Sequence, residues 1–160
     1  MIGFMGAGKS TVGRHLARRL GWKFIDLDQE IERREHRDIA DIFKKDGEPY
    51  FRNLERLCLQ DLSSSRKAVI ALGGGAFIDA RNRELAENTG LTVWLKASFS
   101  NLVDRVKMDG TRPKFLDKAQ AERLYQTREP VYAQAKVHVE TDDGTPDSVV
   151  DEIIGELRKL

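Results

Sequence analysis

The sequence GFMGAGKS at residues 3–10 fits the pattern G-x-x-x-x-G-K-[ST] at every fixed position. Glycines allow such a loop to turn tightly and bring backbone N–H groups close to an anion. Apolar residues then recur at helical spacing at Val12, Leu16 and Leu20. A helix is therefore predicted to begin near Lys9, with its positive end directed at the loop. Together these features predict a loop that binds the phosphates of a nucleotide.

The residue types of this loop suit a triphosphate that carries a metal ion. Lys9 is predicted to reach the β- and γ-phosphates, and the Ser10 hydroxyl is predicted to bind Mg²⁺. The residues expected to contact the nucleotide are Gly6, Ala7, Gly8, Lys9, Ser10 and Thr11. The competing interpretation is a glycine-rich turn before an ordinary helix. The amphipathic helix and the strand that follow favour nucleotide binding.

Strand-like and helix-like stretches alternate along the rest of the chain. The stretches predicted to form strands are residues 22–27, 68–72, 91–96 and 136–141. Residues 69–72 form a continuous apolar run, which is typical of a strand covered on both faces. This alternation predicts an α/β fold with a parallel sheet between helices. The length of 160 residues predicts a single domain over residues 1–160.

Only Met1 and Ile2 precede the phosphate-binding loop. A loop of this kind normally follows a buried central strand, and an average strand has about five or six residues. We therefore expect either further apolar residues upstream of Met1 or a very short first strand in a less stable domain.

The overall composition indicates which classes of binding partner to expect. Lys plus Arg number 27 and Asp plus Glu number 26, so no basic excess suggests a nucleic acid. No apolar run approaches the length of a membrane span, and we expect no membrane partner. Cys58 is the single cysteine, so no intramolecular disulfide can form, which fits a cytoplasmic location. The three histidines match no zinc-ligand spacing.

Two aspartates, Asp26 and Asp28, lie at the carboxyl end of the strand predicted over residues 22–27. Ligands of open α/β sheets bind at that end of the strands. Residues two apart on a strand share one face, so one carboxylate could hold Mg²⁺ while the other orients an attacking hydroxyl. The alternative is that Asp28 only caps a helix over residues 29–34.

Basic residues and glycines further along could hold a second anion. Arg52 and Glu55 are three apart on a predicted helix, so Glu55 could orient the Arg52 guanidinium, although surface ion pairs of this kind are common. Residues 73–75 are three glycines after a buried strand, more than a simple turn requires. Arg112 lies in an irregular segment and could close over phosphates, and Arg128 could reach an anion; a solvated position is the alternative for both.

At this point the chain resembles the shikimate kinase family over essentially its whole length. The matching motifs, in chain order, are residues 3–11, FIDLD at 24–28, IADIF at 39–43, FRNLE at 51–55, LGGG at 72–75, Arg112-Pro113 and REPVY at 128–132. The phosphate-binding loop alone is generic. The ordered set that follows it is much more specific.

The resemblance implies a three-layer α/β P-loop NTPase fold with five parallel strands in the order 2-3-1-4-5 and helices on both faces. It implies a lid near residues 108–118 and substrate-binding helices near residues 28–62. It also implies ATP and Mg²⁺ as cofactors and shikimate as the substrate. The reaction implied is transfer of the ATP γ-phosphoryl group to the 3-hydroxyl of shikimate, in aromatic amino acid biosynthesis. We expect a monomer.

By position, the resemblance also implies residue roles in catalysis and nucleotide binding. Asp28 resembles the residue that holds the shikimate hydroxyls and activates one of them. Asp26 resembles the aspartate associated with Mg²⁺. Arg112 resembles the lid arginine and, with Lys9, is implied to act in catalysis. Arg105 lies where the family contacts adenine.

The implied substrate site uses four further residues. Arg52 and Arg128 resemble the pair that binds the substrate carboxylate, and Gly74 and Gly75 resemble the backbone donors beside them. The chain departs from the family in having Lys114 and Phe115 where two leucines are usual, which could alter lid closure.

Three alternatives remain open at this stage. A gluconate or nucleotide kinase would share the loop and the fold. A catalytically inactive relative would be expected to lose Lys9, Asp28 or an arginine of the substrate site, and none is lost. A switch-type NTPase would leave Asp26, Asp28 and the two arginines unexplained.

Overall fold

The computed structural model describes residues 1–109 and 117–159, in which helices alternate with short parallel strands. In chain order the elements are α1 (Lys9–Leu20), β1 (Lys23–Asp26), α2 (Leu27–Glu35), α3 (Ile39–Leu62), β2 (Ala68–Ala71), a short 3₁₀ helix (Ala76–Ile78), α4 (Ala80–Thr89), β3 (Val93–Lys96), α5 (Phe99–Asp109), α6 (Lys118–Tyr132), β4 (Val137–Glu140) and α7 (Pro146–Leu157). The predicted α/β class is confirmed. Each strand lies within its predicted bounds and is shorter than predicted.

The strands form two parallel pairs, β1 with β2 and β3 with β4. In β4, Val137 and Val139 are buried while His138 and Glu140 are exposed. This alternation is typical of a strand with one covered face. In the first pair, Asp26 lies opposite Ala71. The chain segments that follow β1 and β2 consequently start side by side, at the carboxyl ends of the two strands.

Met1 and Ile2 join the two strand pairs. The backbone of Met1 is hydrogen-bonded to Ile70 and Leu72, at 2.6 and 2.9 Å. The backbone of Ile2 is hydrogen-bonded to β3 on its other side, at 2.8 and 3.0 Å. Ile2 forms an isolated parallel bridge with Trp94. The segment that leads into the phosphate-binding loop is thus bonded on both sides.

The prediction that Asp26 and Asp28 share one face of a strand is wrong. β1 ends at Asp26, and Asp28 lies in the first turn of α2. The cause is local, because the Asp26 carboxylate accepts hydrogen bonds from the backbone N–H groups of Asp28 and Gln29 at 3.1 and 3.3 Å. This N-cap starts the helix two residues earlier than predicted. Asp26, and not Asp28, caps α2.

Helix α3 is divided by Gly47. Asp38 caps its start by accepting a hydrogen bond from the N–H of Asp41. Gly47 has φ 82° and ψ 173°, which is outside the helical region, and Pro49 follows two residues later. The helix is therefore kinked at Gly47. The second half of α3 buries Cys58 in the core.

Three apolar anchors fix the segments at the carboxyl edge of the strands. Phe4 lies inside the phosphate-binding loop, Leu27 lies between the two aspartates, and Phe77 lies two residues after the third glycine of the run. Each is at most 1% exposed. Because moving any of these segments would expose a fully buried side chain, we expect their backbones to be held firmly.

The helices pack in two groups. α1 contacts β1, β2 and α7, and α7 also contacts β4. α3, α4 and α6 contact the 3₁₀ helix that follows the glycine run. This second group matters for function, because α3 and α6 carry the arginines predicted to bind an anion.

Candidate active site

The phosphate-binding loop leads from Ile2 into α1. Gly6 and Gly8 have φ values of 81° and 87°, which residues with a Cβ rarely adopt. At Gly6 a Cβ would in addition lie 2.9 Å from the carbonyl oxygen of Leu102. Gly8 precedes α1, and no described side chain caps that helix. Its first N–H groups are therefore suited to an anion such as phosphate.

Two side chains of this loop make specific contacts. The Lys9 ammonium donates hydrogen bonds to the carbonyl oxygens of Gly3 and Phe4, at 2.8 and 3.0 Å. The Ser10 hydroxyl donates to Oδ2 of Asp26 at 2.6 Å. Since Oδ1 of Asp26 accepts the cap bonds of α2, this one carboxylate ties the loop to the start of that helix. Ser10 and Asp26, predicted as metal ligands from sequence, lie side by side.

Asp28 faces the first glycine of the run at residues 73–75. A Cβ built on Gly73 would lie only 2.6 Å from Oδ1 of Asp28 and 3.2 Å from Oε1 of Glu55. Contacts this short mean that the carboxylates of α2 and α3 occupy the space a side chain at position 73 would need. Although Asp28 lies on a helix and not on a strand, it reaches the carboxyl end of β2 as the functional interpretation required.

Arg52 is held by two carboxylates on its own helix. Its Nη1 donates to Oε2 of Glu55 at 2.6 Å, and its Nε and Nη2 donate to Oε1 of Glu48 at 3.2 and 3.1 Å. The predicted pairing of Arg52 with Glu55 is therefore confirmed. Glu55 is 1% exposed, so this is not the common surface ion pair.

Glu55 lies near groups of both charge signs, and both affect its pKa. Burial raises the pKa of Glu55 above its ordinary value, and Arg52 opposes that shift by favouring the charged form. The negative charge of Asp28 also raises the pKa of Glu55, while Arg128 lowers it. These effects show that two carboxylates and two guanidinium groups share one small region.

The other two glycines of the run face the two arginines. A Cβ on Gly75 would lie 2.5 and 2.7 Å from the two Nη atoms of Arg52. A Cβ on Gly74 would lie 3.3 Å from Nη1 of Arg128. None of the glycines at 73–75 has a positive φ. They are therefore needed for the space they leave to charged side chains and not for an unusual backbone conformation.

Arg128 lies on α6 beside two aromatic residues. Its guanidinium carbon lies 6.0 Å from the ring centroid of Phe4 in the phosphate-binding loop. Tyr132, one helical turn later, is fully buried and donates its hydroxyl proton to the carbonyl oxygen of Gly74. Tyr132 was not among the residues predicted from sequence. The signals that could have indicated a shared role are its i, i+4 spacing from Arg128 and its place in the REPVY motif at residues 128–132.

A cavity of about 390 Å³ lies between the phosphate-binding loop, the two aspartates and the start of the glycine run. It is lined by Gly6, Gly8, Lys9, Ser10, Thr11, Asp26, Asp28, Ala71, Leu72, Gly73, Gly74, Arg105 and Val106. Arg105 also donates hydrogen bonds to the side-chain and backbone oxygens of Thr141. A larger cavity, of about 550 Å³, is lined mostly by aliphatic residues and contains none of the predicted site residues.

The structure thus brings together most of the residues predicted from sequence. Arg112 and residues 110–116 of the predicted lid lie outside the described residues, as do Lys114 and Phe115. Within the described ranges, no group of three or more His, Cys, Asp or Glu side chains could hold a metal ion. A metal here would rely on Ser10, Asp26 and the oxygens of a bound nucleotide, the usual arrangement for Mg²⁺. In the same ranges, no helix is long and apolar enough to cross a membrane.

The chemistry of this arrangement is specific. One half of the site, the cavity at the phosphate-binding loop, offers backbone N–H groups, an ammonium and two oxygen groups, a set suited to a metal-bound triphosphate. The other half offers two guanidinium groups and a carboxylate, suited to a small acid that also carries hydroxyls. Transfer of a phosphoryl group between the two halves would need little beyond positioning and charge neutralisation.

Comparison with known proteins identifies the family. The family model for shikimate kinase matches residues 5–158. A shikimate kinase of Persephonella marina is 38% identical over 159 residues, which cover 99% of this chain and 97% of the relative. A shikimate kinase of Cereibacter sphaeroides is 45% identical over 148 residues, covering 91% and 74%.

Solved structures agree. A shikimate kinase from Acinetobacter baumannii, in complex with shikimate, superposes with a TM-score of 0.92 at 37% identity and covers 99% of this chain and 90% of its own. A gluconokinase from Sinorhizobium meliloti reaches a TM-score of 0.60 at 21% identity, covering 99% and 89%, and shares the fold. The fold is the α/β P-loop kinase fold, and this chain belongs to the shikimate kinase family.

Proposed function

We propose that this chain transfers the γ-phosphoryl group of ATP to the 3-hydroxyl of shikimate, giving shikimate 3-phosphate and ADP. The observation that carries the proposal is the convergence of Asp28, Arg52 and Arg128 on the glycine run at 73–75, beside a phosphate-binding loop. Membership of the family and the shikimate complex of the A. baumannii relative support the choice of substrate.

The substrate site is complementary to a hydroxylated carboxylic acid. Arg52 and Arg128 are the proposed partners of the carboxylate, and the N–H groups of Gly74 and Gly75 are the proposed backbone donors beside them. Shikimate also carries three hydroxyl groups, and Asp28 is the proposed acceptor for them. The support is geometric, since the glycines leave room for both arginines and for Asp28 within one small region.

In the proposed reaction the 3-hydroxyl oxygen of shikimate attacks the γ-phosphorus as the bond to the β–γ bridging oxygen breaks. Asp28 orients the hydroxyl and accepts its proton, and ADP leaves with the bridging oxygen. Lys9 neutralises charge on the β- and γ-phosphates. Arg112 is proposed to do the same from the lid when the site closes.

The residues around Ser10 fit Mg²⁺. The Ser10 hydroxyl and the Asp26 carboxylate are oxygen ligands 2.6 Å apart, beside the N-terminus of α1. When bound with the nucleotide, Mg²⁺ would neutralise phosphate charge and hold the triphosphate in place. For the rest of the nucleotide, Gly6, Ala7, Gly8 and Thr11 are proposed to contact the phosphates, and Arg105 to contact adenine.

We also propose that the two strand pairs form one five-stranded parallel sheet. If Met1–Ile2 is counted as strand 1 and β1 to β4 as strands 2 to 5, its order is 2-3-1-4-5. The hydrogen bonds of Met1 to Ile70 and Leu72 and of Ile2 to β3 support this order. The continuous cluster of buried apolar residues supports a single domain. The monomeric state and the cytoplasmic location stay predictions.

A coupled ADP-release assay tests the function. Shikimate, gluconate and nucleoside monophosphates are supplied in parallel, with a reaction lacking any acceptor as the control. We expect ADP release that depends on shikimate alone. Equal or greater turnover with gluconate or a nucleotide would reassign the substrate. Shikimate binding without turnover would indicate an inactive relative, and ADP release without an acceptor would indicate a hydrolytic NTPase.

A further inference from the structure

The hydroxyl of Tyr132 joins two parts of the proposed substrate site. It donates to the carbonyl oxygen of Gly74, which is 58 positions away in the sequence. Burial raises the pKa of the Tyr132 phenol to about 12, and the nearby positive charge of Arg128 opposes that shift. The phenol therefore stays protonated at neutral pH and keeps its role as a donor to Gly74. The Tyr132 oxygen and Nη1 of Arg128 lie 3.7 and 3.3 Å from the point that a Cβ on Gly74 would occupy, so both groups border the same glycine.

The bond to Gly74 also determines the direction of a backbone donor. The carbonyl of Gly74 and the N–H of Gly75 belong to one planar trans peptide unit and point in opposite directions. Holding the carbonyl oxygen on the Tyr132 side consequently aims the N–H of Gly75 away from it. Glycines have many accessible backbone conformations, so this peptide plane would otherwise be weakly fixed.

Rigid packing makes Tyr132 a suitable anchor. Its side chain is 0% exposed, and its ring lies 6.2 Å from that of Trp94 on β3, measured between centroids. Arg128 is further bounded by the Phe4 ring at 6.0 Å. The buried hydroxyl thus ties the Gly74 carbonyl, in the glycine run, to the fixed position of the core.

We infer that Tyr132 is a positioning residue for the substrate carboxylate, acting by orienting the Gly74–Gly75 peptide beside the Arg128 guanidinium. The inference rests on the proposed function and extends it. Removal of the hydroxyl should weaken only the interactions that recognise the carboxylate. Phosphoryl transfer from a saturated complex and the affinity for ATP should change little, because Tyr132 contacts neither the phosphate-binding loop backbone nor Asp28 in the described contacts.

The test compares Tyr132→Phe with Tyr125→Phe. Tyr125 lies on the same helix and also bonds a backbone carbonyl, that of Ala97, and burial raises the pKa of its phenol to about 12. It makes no described contact with Gly74 or Arg128, so it is a matched control. We expect Tyr132→Phe to raise the KM for shikimate about tenfold, as for the weakening of one charge-assisted hydrogen bond, and Tyr125→Phe to leave it unchanged.

A substrate without the negative charge separates positioning from general structural damage. With the methyl ester of shikimate, wild type and Tyr132→Phe should have similar KM values, because the group that Tyr132 helps to recognise is absent. An unchanged KM for shikimate in Tyr132→Phe would overturn the inference. So would equal increases for shikimate, its ester and ATP. Wild type that does not phosphorylate shikimate would instead overturn the proposed function.

If Tyr132→Phe does not fold, 3,5-difluorotyrosine at position 132 keeps the ring and the hydroxyl. Fluorination makes the phenol more acidic, so that at alkaline pH it loses the proton that it donates to the Gly74 carbonyl. We expect the KM for shikimate to rise relative to the same replacement at position 125, with no change for the ester. A KM equal to that of wild type would overturn the inference.

Discussion

Replacement of Gly75 by alanine would test whether the glycine run exists to make room for charged side chains. Gly75 has φ −97° and ψ −16°, which alanine adopts without strain. The added Cβ would lie 2.5 Å from Nη1 of Arg52, 2.7 Å from Nη2 and 2.8 Å from Cζ. Since ordinary contacts begin at about 3.4 Å, the guanidinium must move by roughly 0.9 Å.

The displaced group is the end of a flexible side chain, so the fold should tolerate the change. The change should, however, displace the guanidinium relative to the bound substrate. Loss of one charge-assisted hydrogen bond costs about 1.5–3 kcal/mol, and every 1.4 kcal/mol corresponds to about a tenfold change in affinity. We therefore expect the KM of Gly75→Ala for shikimate to rise about 10- to 100-fold, with little change in melting temperature.

The assay measures ADP release at varied shikimate and saturating ATP, and then at varied ATP and saturating shikimate. The control is Gly155→Ala on α7, where an added Cβ meets nothing within 4 Å. That variant should keep its KM for shikimate and gain about 0.5–1 kcal/mol of stability, because alanine favours a helix over glycine. A folded Gly75→Ala with the KM of wild type would refute the assignment of Arg52 and the role given to the glycine.

Three further outcomes are expected. Asp28→Asn should lower kcat about 10²- to 10⁴-fold while isothermal calorimetry still detects ATP binding, because a proton acceptor is lost; normal turnover would contradict its role. Ser10→Ala should raise the Mg²⁺ concentration for half-maximal rate roughly tenfold, and an unchanged Mg²⁺ titration would argue against Ser10 as a ligand. Two arginines lower the pKa of Glu30 from 4.5 to about 2. Its charged form therefore favours the folded state above pH 4.5, and that contribution is lost as the pH falls through about 2. Chemical denaturation should show a lower free energy of unfolding for Glu30→Gln than for wild type at pH 7. This difference should disappear between pH 4.5 and 2, and a difference that stays constant would exclude the Glu30 charge as its cause.

Much of the fold could be predicted because local chemistry and global structure agree. The loop at residues 3–10 has fixed residue types, and each of the four strands lies within the range predicted from its apolar residues. The error at Asp28 shows the limit of a local rule. Alternation of side chains holds only while a strand continues, and the Asp26 carboxylate ends β1 by capping the next helix.

The detailed geometry of the site could not be predicted, because it depends on residues far apart in sequence. Which arginine each glycine accommodates follows from how α3 and α6 pack on the 3₁₀ helix. The contact of Tyr132 with Gly74 spans 58 positions and leaves no periodic signal. Residue types indicated an anion site, but only the packing shows which side chains share it.

The contacts of Lys9 have a consequence for how a nucleotide would be received. Its ammonium is bonded to two carbonyls of its own loop, so this side chain braces the loop as well as offering a positive charge to a phosphate. Loss of this lysine would then loosen the empty loop as well as the loaded one, and amide exchange of Gly3 to Gly8 without nucleotide would reveal it.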